Sequence, residues 1–329
     1  MLFGFIYFPN VIWRNFFLDS IKMNRGKVIN YITHKGKPIQ ILIVDEVGKG
    51  SFGTVYKGVI EGYGTVAVKL QYPVNKKLLH SIATEIKISK VFSEEYGFTV
   101  KRVIFNPSYK TKESRFLSLS SDVPKNAVLT IYNLAEGIDL QKLIEYNVSL
   151  TDDTAKLYID NLLDCLKELK EKGIAHRDIK PGNLMLHNGS IKLIDFGFAC
   201  FYAECTGKKG TLYFLPPEFY LPGDTMDWHK GDVFAVGITM LSLFTGGKVL
   251  YDSFFSNMTD GEKFFGKLSL ANMEIYFERK ISSFANDYPL VQKYKNLILG
   301  MINPNPENRW TLEKCFEWVD SNSLEEAWV

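Results

Sequence analysis

Two short runs in the second half of the chain carry side chains suited to one kind of chemistry. The first is His176-Arg177-Asp178-Ile179-Lys180-Pro181-Gly182-Asn183, and the second is Asp195-Phe196-Gly197. Moving a phosphoryl group onto a hydroxyl needs a group that orients the attacking oxygen and accepts its proton. It also needs a cation to neutralise the transferring group and oxygen ligands for a hard divalent ion. Asp178 can do the first and Lys180 the second. Asn183 and Asp195 are oxygen ligands suited to Mg²⁺, which takes few carboxylates and completes its shell with phosphate oxygens.

Upstream, Gly48-Lys49-Gly50-Ser51-Phe52-Gly53-Thr54-Val55 lies between two predicted strands. Glycines there let a backbone turn sharply and bring N–H groups against phosphate oxygens. A dinucleotide-binding reading needs a helix directly after Gly53, and Thr54-Val55-Tyr56 reads as strand. Val66-Ala67-Val68-Lys69 ends an aliphatic strand in a charge, which calls for an anion: a nucleotide phosphate, or a carboxylate such as Glu85 in the following helix.

The elements that must position these residues fall into two textures. From about Pro38 to Leu134, β-branched and aromatic runs alternate with glycine turns, predicting strands at Ile39–Val47, Thr54–Ile60, Thr65–Leu70, Thr99–Phe105 and Ala127–Asn133. One helix is expected near Lys77–Phe92, and Asn106 to Asn126 reads as a long polar loop. After Gly137 the pattern turns helical. Thr151 can cap a helix whose first turn carries Asp152 and Asp153, with Gly173 as its stop. Val233–Phe244 is apolar on nearly every side, as a fully buried helix is. A small sheet-rich lobe before a larger helical lobe implies a ligand cleft between them.

The bulk properties exclude several classes. The chain has 329 residues, is 46% hydrophobic and 23% charged, and carries a net charge of only +2, which gives no electrostatic footprint for nucleic acid. The four cysteines, Cys165, Cys200, Cys205 and Cys315, form no C-x-x-C pair, which argues against zinc and for reduced thiols in a cytosolic protein. The proximity of Cys200 and Cys205 leaves a redox sensor as the minor alternative. No stretch reaches about 18 consecutive apolar residues, the length that a spanning helix requires.

With these motifs in hand, the chain resembles the eukaryotic protein kinase family, serine/threonine class, from about Ile39 to Val319. The resemblance implies an α+β, bilobal protein-kinase-like fold: a small antiparallel-sheet N-lobe with one regulatory helix, and a larger, mostly helical C-lobe. It implies Mg-ATP as the phosphoryl donor, magnesium held by Asn183 and Asp195, and a protein Ser/Thr hydroxyl as acceptor. Asp178 and Lys180 are the implied catalytic pair. Val47, Gly48, Lys49, Gly50, Ser51, Phe52, Gly53, Thr54, Val55, Ala67, Lys69, Glu85, Asn133, Ala135 and Asp139 are the implied ATP-binding residues, with Tyr132 as gatekeeper. Asp232 matches the aspartate that steadies the catalytic loop, Glu218 the glutamate of a Pro-Pro-Glu segment, and Arg309 its buried partner. Lys180 and Thr211 match the serine/threonine pattern. Arg177 is a candidate acceptor of an activating phosphate, with Thr206 the first site to carry one and Glu204 the alternative anion. Ser89 departs from the family by placing a hydroxyl where an apolar residue usually stands, and Gly182 replaces a carboxylate.

Two rivals were weighed against this reading. A pseudokinase would lack Lys69, Asp178, Asn183 or Asp195, and all four are present. A kinase of small molecules generally lacks the Gly loop with Val-Ala-Val-Lys and the Pro-Pro-Glu segment. The expected domain plan is an apolar N-terminal extension over 1–30, a kinase domain over 38–322 with its lobes meeting near 134, and a tail over 323–329. Partners expected are a protein substrate and ATP, with a monomeric chain and no nucleic acid. The apolar stripe from Val11 to Met23, with Arg14, Lys22, Arg25 and Lys27 nearby, reads first as an extension packed on the small lobe. A membrane-surface helix is the alternative.

Overall fold

The computed structural model describes residues 23, 25–32, 37–50, 53–105, 118–120, 122–134, 137–222, 226–251 and 257–325. It divides into two compact units with the boundary between Glu136 and Gly137.

The N-terminal unit contains β1 (Val28–Ile32), β2 (Pro38–Gly50), β3 (Gly53–Ile60), β4 (Gly64–Gln71), α1 (Lys76–Val91), β5 (Val100–Phe105), β6 (Ser118–Leu119) and β7 (Val128–Asn133). The strands close into a barrel in the order β1-β2-β3-β4-β7-β5-β6, all pairs antiparallel except β5 with β6. Side chains alternate across a strand, so Ile39, Ile41 and Ile43 of β2 enter the barrel with Tyr56, Val66, Val68, Leu70, Leu129 and Ile131. The opposite face of β7 packs with β5 against α1 through Val128, Val100, Val103 and Ile82. Asn75 caps α1, its side chain accepting from the Leu78 N–H at 2.8 Å.

In this unit two strands lie where none was expected. β1 falls in the stretch read as extension and linker, and β6 in the stretch read as loop. Met23, the one described residue of the apolar stripe, is buried in the barrel core, its N–H donating to the Tyr56 hydroxyl. The rest of that stripe, with Ser51, Phe52 and Ala135, lies outside the described residues.

The C-terminal unit opens with β8 (Ile138–Asp139), α2 (Leu140–Glu145) and α3 (Asp152–Glu171), followed by β9 (Ile174–Ala175), β10 (Leu184–His187), β11 (Ser190–Leu193) and β12 (Cys200–Phe201). The helices α4 (Trp228–Phe244), α5 (Met258–Phe265), α6 (Leu270–Asp287), α7 (Pro289–Lys293), α8 (Lys295–Met301) and α9 (Leu312–Glu325) complete it. Thr151 caps α3 through the Thr154 N–H, and the expected apolar face, Ala155, Ile159, Leu162, Leu163, Leu166 and Leu169, is buried. Every residue of α4 from Gly231 to Phe244 is buried, which makes it the spine of the unit.

One ion pair ties distant parts of this unit together. Arg309, 2% exposed, forks onto Glu218, Nη1 to Oε1 at 2.7 Å and Nη2 to Oε2 at 2.9 Å. Its remaining donors reach the Asn303 and Lys230 carbonyls, and its guanidinium lies 5.0 Å from the Phe234 ring. Glu218 is itself partly exposed, so removing Arg309 forfeits charge-assisted hydrogen bonds rather than stranding a fully buried charge, at a cost of about 1.5–3 kcal/mol. Arg309→Leu is expected to lower unfolding free energy by about that amount in urea melts. Arg309→Lys is expected to recover only part of the loss, because an ammonium cannot match the bidentate fork.

Candidate active site

In the C-terminal unit the loop between β9 and β10 carries the first motif. Asp232, from α4, reaches under it: its carboxylate accepts the His176 N–H at 2.7 Å and the Arg177 N–H at 2.8 Å. Those two bonds fix a turn in which Arg177 takes a left-handed backbone, φ +63°. Asp195 adopts the same unusual region, φ +61°, at the start of the Phe196–Phe198 turn. Non-glycine residues persist there at about 1–3 kcal/mol each only where their surroundings over-determine them, and such positions cluster at functional sites. Burial pushes the Asp232 carboxyl up to about 7, against the two N–H donors that favour its ionised form.

Asp178 stands at the centre of a closed set of partners. Its Oδ1 accepts from the Thr211 hydroxyl at 2.6 Å, and its Oδ2 accepts from Lys180 Nζ at 2.9 Å and Asn183 Nδ2 at 2.8 Å. Lys180 Nζ also donates to Thr211 Oγ1 at 2.6 Å. The Asn183 amide nitrogen is committed to Asp178, since it also reaches the Asp178 carbonyl at 2.8 Å. That leaves the amide oxygen as the Asn183 atom able to meet a cation. Among the described residues no cluster of three or more His, Cys, Asp or Glu side chains forms a metal cage. The Asn183 and Asp195 oxygens suit an ion that draws the rest of its shell from phosphate and water.

Arg177 is held by backbone carbonyls through Nε and Nη1. Nε donates to the Phe198 carbonyl at 2.7 Å, Nη1 to those of Thr206 and Gly207 at 3.1 and 3.3 Å, and the guanidinium lies 5.3 Å from the Trp228 ring. Burial lowers its pKa to about 10. The segment it grips is crosslinked: Cys200 and Cys205 form a disulfide, which corrects the expectation of reduced thiols for this pair. Cys165 and Cys315 are free and buried.

In the N-terminal unit, β2 and β3 form the glycine hairpin, pairing Gly48 with Val55, Lys49 with Thr54 and Gly50 with Gly53. Val47, just before it, is 56% exposed. A Cβ on Gly48 or Gly50 would meet nothing within 4 Å, whereas one on Gly53, φ +149°, would stand 2.2 Å from the Leu70 carbonyl oxygen. The first two glycines therefore leave open backbone, and the third is required by β4. On β4, Ala67 pairs with Tyr132 and Val66 with Asn133. Lys69 Nζ meets Glu85 Oε1 at 2.5 Å, with both residues buried. The Tyr132 hydroxyl reaches the same oxygen at 3.3 Å, and Gln71 Nε2 reaches Oε2 at 3.0 Å.

The structure thus gathers Asp178, Lys180, Asn183, Thr211, Arg177 and Asp232 around one loop, and Lys69 with Glu85 around another. Asp139 instead caps α2, Oδ1 accepting the Lys142 N–H at 3.0 Å. The sequence reading missed Gln71 and Trp228. Gln71 was findable, because strand alternation puts it on the Lys69 face.

The chain matches the protein kinase domain over residues 42–319, and it belongs to that family. It is 25% identical over 293 residues to serine/threonine-protein kinase CHK1 of Saccharomyces cerevisiae, covering 85% of this chain and 51% of that protein. It is 26% identical over 287 residues to serine/threonine-protein kinase atg1 of Dictyostelium discoideum, covering 84% and 39%. Over a shorter stretch of 136 residues it is 35% identical to serine/threonine-protein kinase chk1 of Schizosaccharomyces pombe, covering 40% and 27%. The chain spans about half or less of the length of these relatives. No helix among the described residues is long and apolar enough to cross a membrane.

Two histidines, His176 buried and His229 half-buried, give the C-terminal unit a pH signature. His176 packs its ring 5.1 Å from Phe196, and its Nδ1 accepts the Asp178 N–H at 3.3 Å, so burial keeps the imidazole neutral and its pKa low. His229 is brought down to about 4 by burial, with Lys170 adding to the effect. A depressed histidine pKa means that the unfolded chain binds more protons between the two values, so stability falls with acid. The raised Asp232 carboxyl works in the opposite direction over the same range, so the histidine contribution is read by difference: acidification from about pH 6.5 to pH 4 is expected to lower the melting temperature less in His229→Phe than in the wild type.

Proposed function

We propose that the chain is a serine/threonine protein kinase that transfers the γ-phosphoryl group of Mg-ATP to a protein hydroxyl. The observation that carries this is the Asp178 carboxylate, held by Lys180, Asn183 and the Thr211 hydroxyl at 2.6–2.9 Å. In this reading Asp178 orients the incoming hydroxyl and takes its proton, while Lys180 offsets charge on the transferring group. Thr211 bridges the two and sits where a serine or threonine side chain would enter. Asn183 and Asp195 would hold Mg²⁺, which neutralises the phosphate oxygens when bound. Lys69, steadied by Glu85, anchors the nucleotide phosphates, and the open backbone at Gly48 and Gly50 covers them. The adenine-facing role of Asn133 and Ala135 belongs to the same proposal, as does a cytoplasmic, monomeric protein.

The test is incubation of purified protein with Mg-ATP and a degenerate peptide library. Labelled serine and threonine are expected, and labelled tyrosine alone would overturn the specificity. Asp178→Asn is expected to cut the rate on the order of a hundred- to ten-thousandfold with an unchanged melting temperature. A folded Asp178→Asn protein with full activity would remove the assignment.

Thr206 is exposed, and its carbonyl, with those of Phe198 and Gly207, already occupies Arg177. We infer that the activation segment is ordered without a phosphate. Thr206→Ala is then expected to keep activity within about twofold in a peptide assay, as for an ordinary surface change. A loss of transfer would restore the phosphate-dependent reading.

A further inference from the structure

Gln71 ends β4, two positions after Lys69 and on the same face of the strand. It is 1% exposed, and its Nε2 donates to Glu85 Oε2 at 3.0 Å while Lys69 holds Oε1 at 2.5 Å. Its own Oε1 is buried without a hydrogen-bond partner. Turning the amide over would only set that oxygen against the carboxylate, acceptor to acceptor.

An unpaired buried acceptor destabilises a fold, and an apolar side chain of similar size would remove the penalty. The surroundings would receive one, since Val128 stands opposite Gln71 in register and packs with Ile82 of α1. What the glutamine adds over such a side chain is the donor to Glu85 Oε2, kept at the expense of one unpaired oxygen of its own. It is not isolated in this. Ser89, one turn beyond Glu85 on α1, and Thr130, opposite Lys69 on β7, are also buried with unpaired hydroxyls. Glu85 and Ser89 thus interrupt the buried Ile82 and Ile88 of α1, and Gln71 and Thr130 do the same on the strands, where burial alone would select apolar groups.

We propose that Gln71 is a positioning residue for phosphoryl transfer. It fixes one oxygen of Glu85 so that the other stays on Lys69, and so holds the Lys69 ammonium where nucleotide phosphates are received. The inference rests on the reading of Lys69 as the phosphate anchor.

The test compares Gln71→Leu, Gln71→Glu and Lys69→Met in the full chain, measuring melting temperature, steady-state kinetics and nucleotide binding. For Gln71→Leu the melting temperature is expected to fall modestly, since Glu85 Oε2 loses its donor while the unpaired amide oxygen is removed. Its kcat/KM for ATP should fall on the order of tenfold, the scale that ångström-level misplacement produces. Affinity for adenosine, which has no phosphates, should not change. Gln71→Glu sets a second carboxylate against Glu85, with no donor between the two until acid protonates one of them. Its activity is therefore expected to be low at neutral pH and to recover as pH falls, because the protonated carboxyl can donate where the amide donated. Wild-type kcat/KM in Gln71→Leu, with Lys69→Met inactive, overturns the positioning role and leaves the anchor standing. The role is equally overturned by a Gln71→Leu protein that loses ATP and adenosine affinity alike, since that is packing alone. Full activity in Lys69→Met removes the anchor and the positioning role together.

Discussion

The catalytic loop depends on one buried carboxylate. Asp232 sits within α4, a helix otherwise committed to the core, and accepts the N–H groups of His176 and Arg177. Backbone groups in an irregular buried loop have no ladder to join, and an unpaired N–H there costs about as much as a lost hydrogen bond. Asp232 resolves two of them with one residue and thereby sets the left-handed turn at Arg177. Everything downstream inherits that turn: the position of Asp178, the direction of Lys180, and the reach of Arg177 toward Phe198 and Thr206.

The same rule holds in each of the two units. Charged side chains are buried only where each has a partner of matching geometry. Asp178 is held by an ammonium, an amide and a hydroxyl, and Glu85 by an ammonium, an amide and a phenol. In each set one lysine supplies the opposite charge and the neutral donors complete the carboxylate's partners. A carboxylate with several donors keeps its position when one of them engages a ligand, and that preorganisation is what electrostatic catalysis requires.

The motif residues were legible because phosphoryl transfer constrains side-chain type and spacing together. Asp178, Lys180 and Asn183 lie within six residues, so their meeting needs only one loop. The major strands and helices were legible for a different reason: Ile39, Ile41 and Ile43 alternate, and α3 carries its cap, acidic first turn and apolar stripe in order. What escaped was short or relational. β6 has two residues, too few to show a period, and closes the barrel by pairing Leu119 with Ile32 far away in sequence. The Cys200–Cys205 bond depends on a fold-imposed Cα separation of 5.3 Å, which no spacing rule supplies. The engagement of Arg177 by three carbonyls is invisible in side-chain identities altogether, because its partners are backbone.

The aromatic richness of the chain finds its use beside Asp178. Tyr251 donates its hydroxyl to the Leu215 carbonyl at 2.9 Å, and the Tyr220 hydroxyl reaches the carbonyl of Leu212. Tyr220 and Tyr251 both pack on Phe265, with ring centroids 5.1 and 5.5 Å away, and Tyr251 also meets Phe277. A buried tyrosine must find an acceptor for its hydroxyl, and here the acceptors are carbonyls of the irregular segment that follows Thr211. Anchoring that segment in an aromatic core fixes Thr211 at its start, so the hydroxyl bridging Lys180 and Asp178 is set by packing some residues away. A loop that lacks regular structure is thereby given a defined position by the rings beneath it, and the geometry around Asp178 is as much a product of Tyr220 and Tyr251 as of the motif itself.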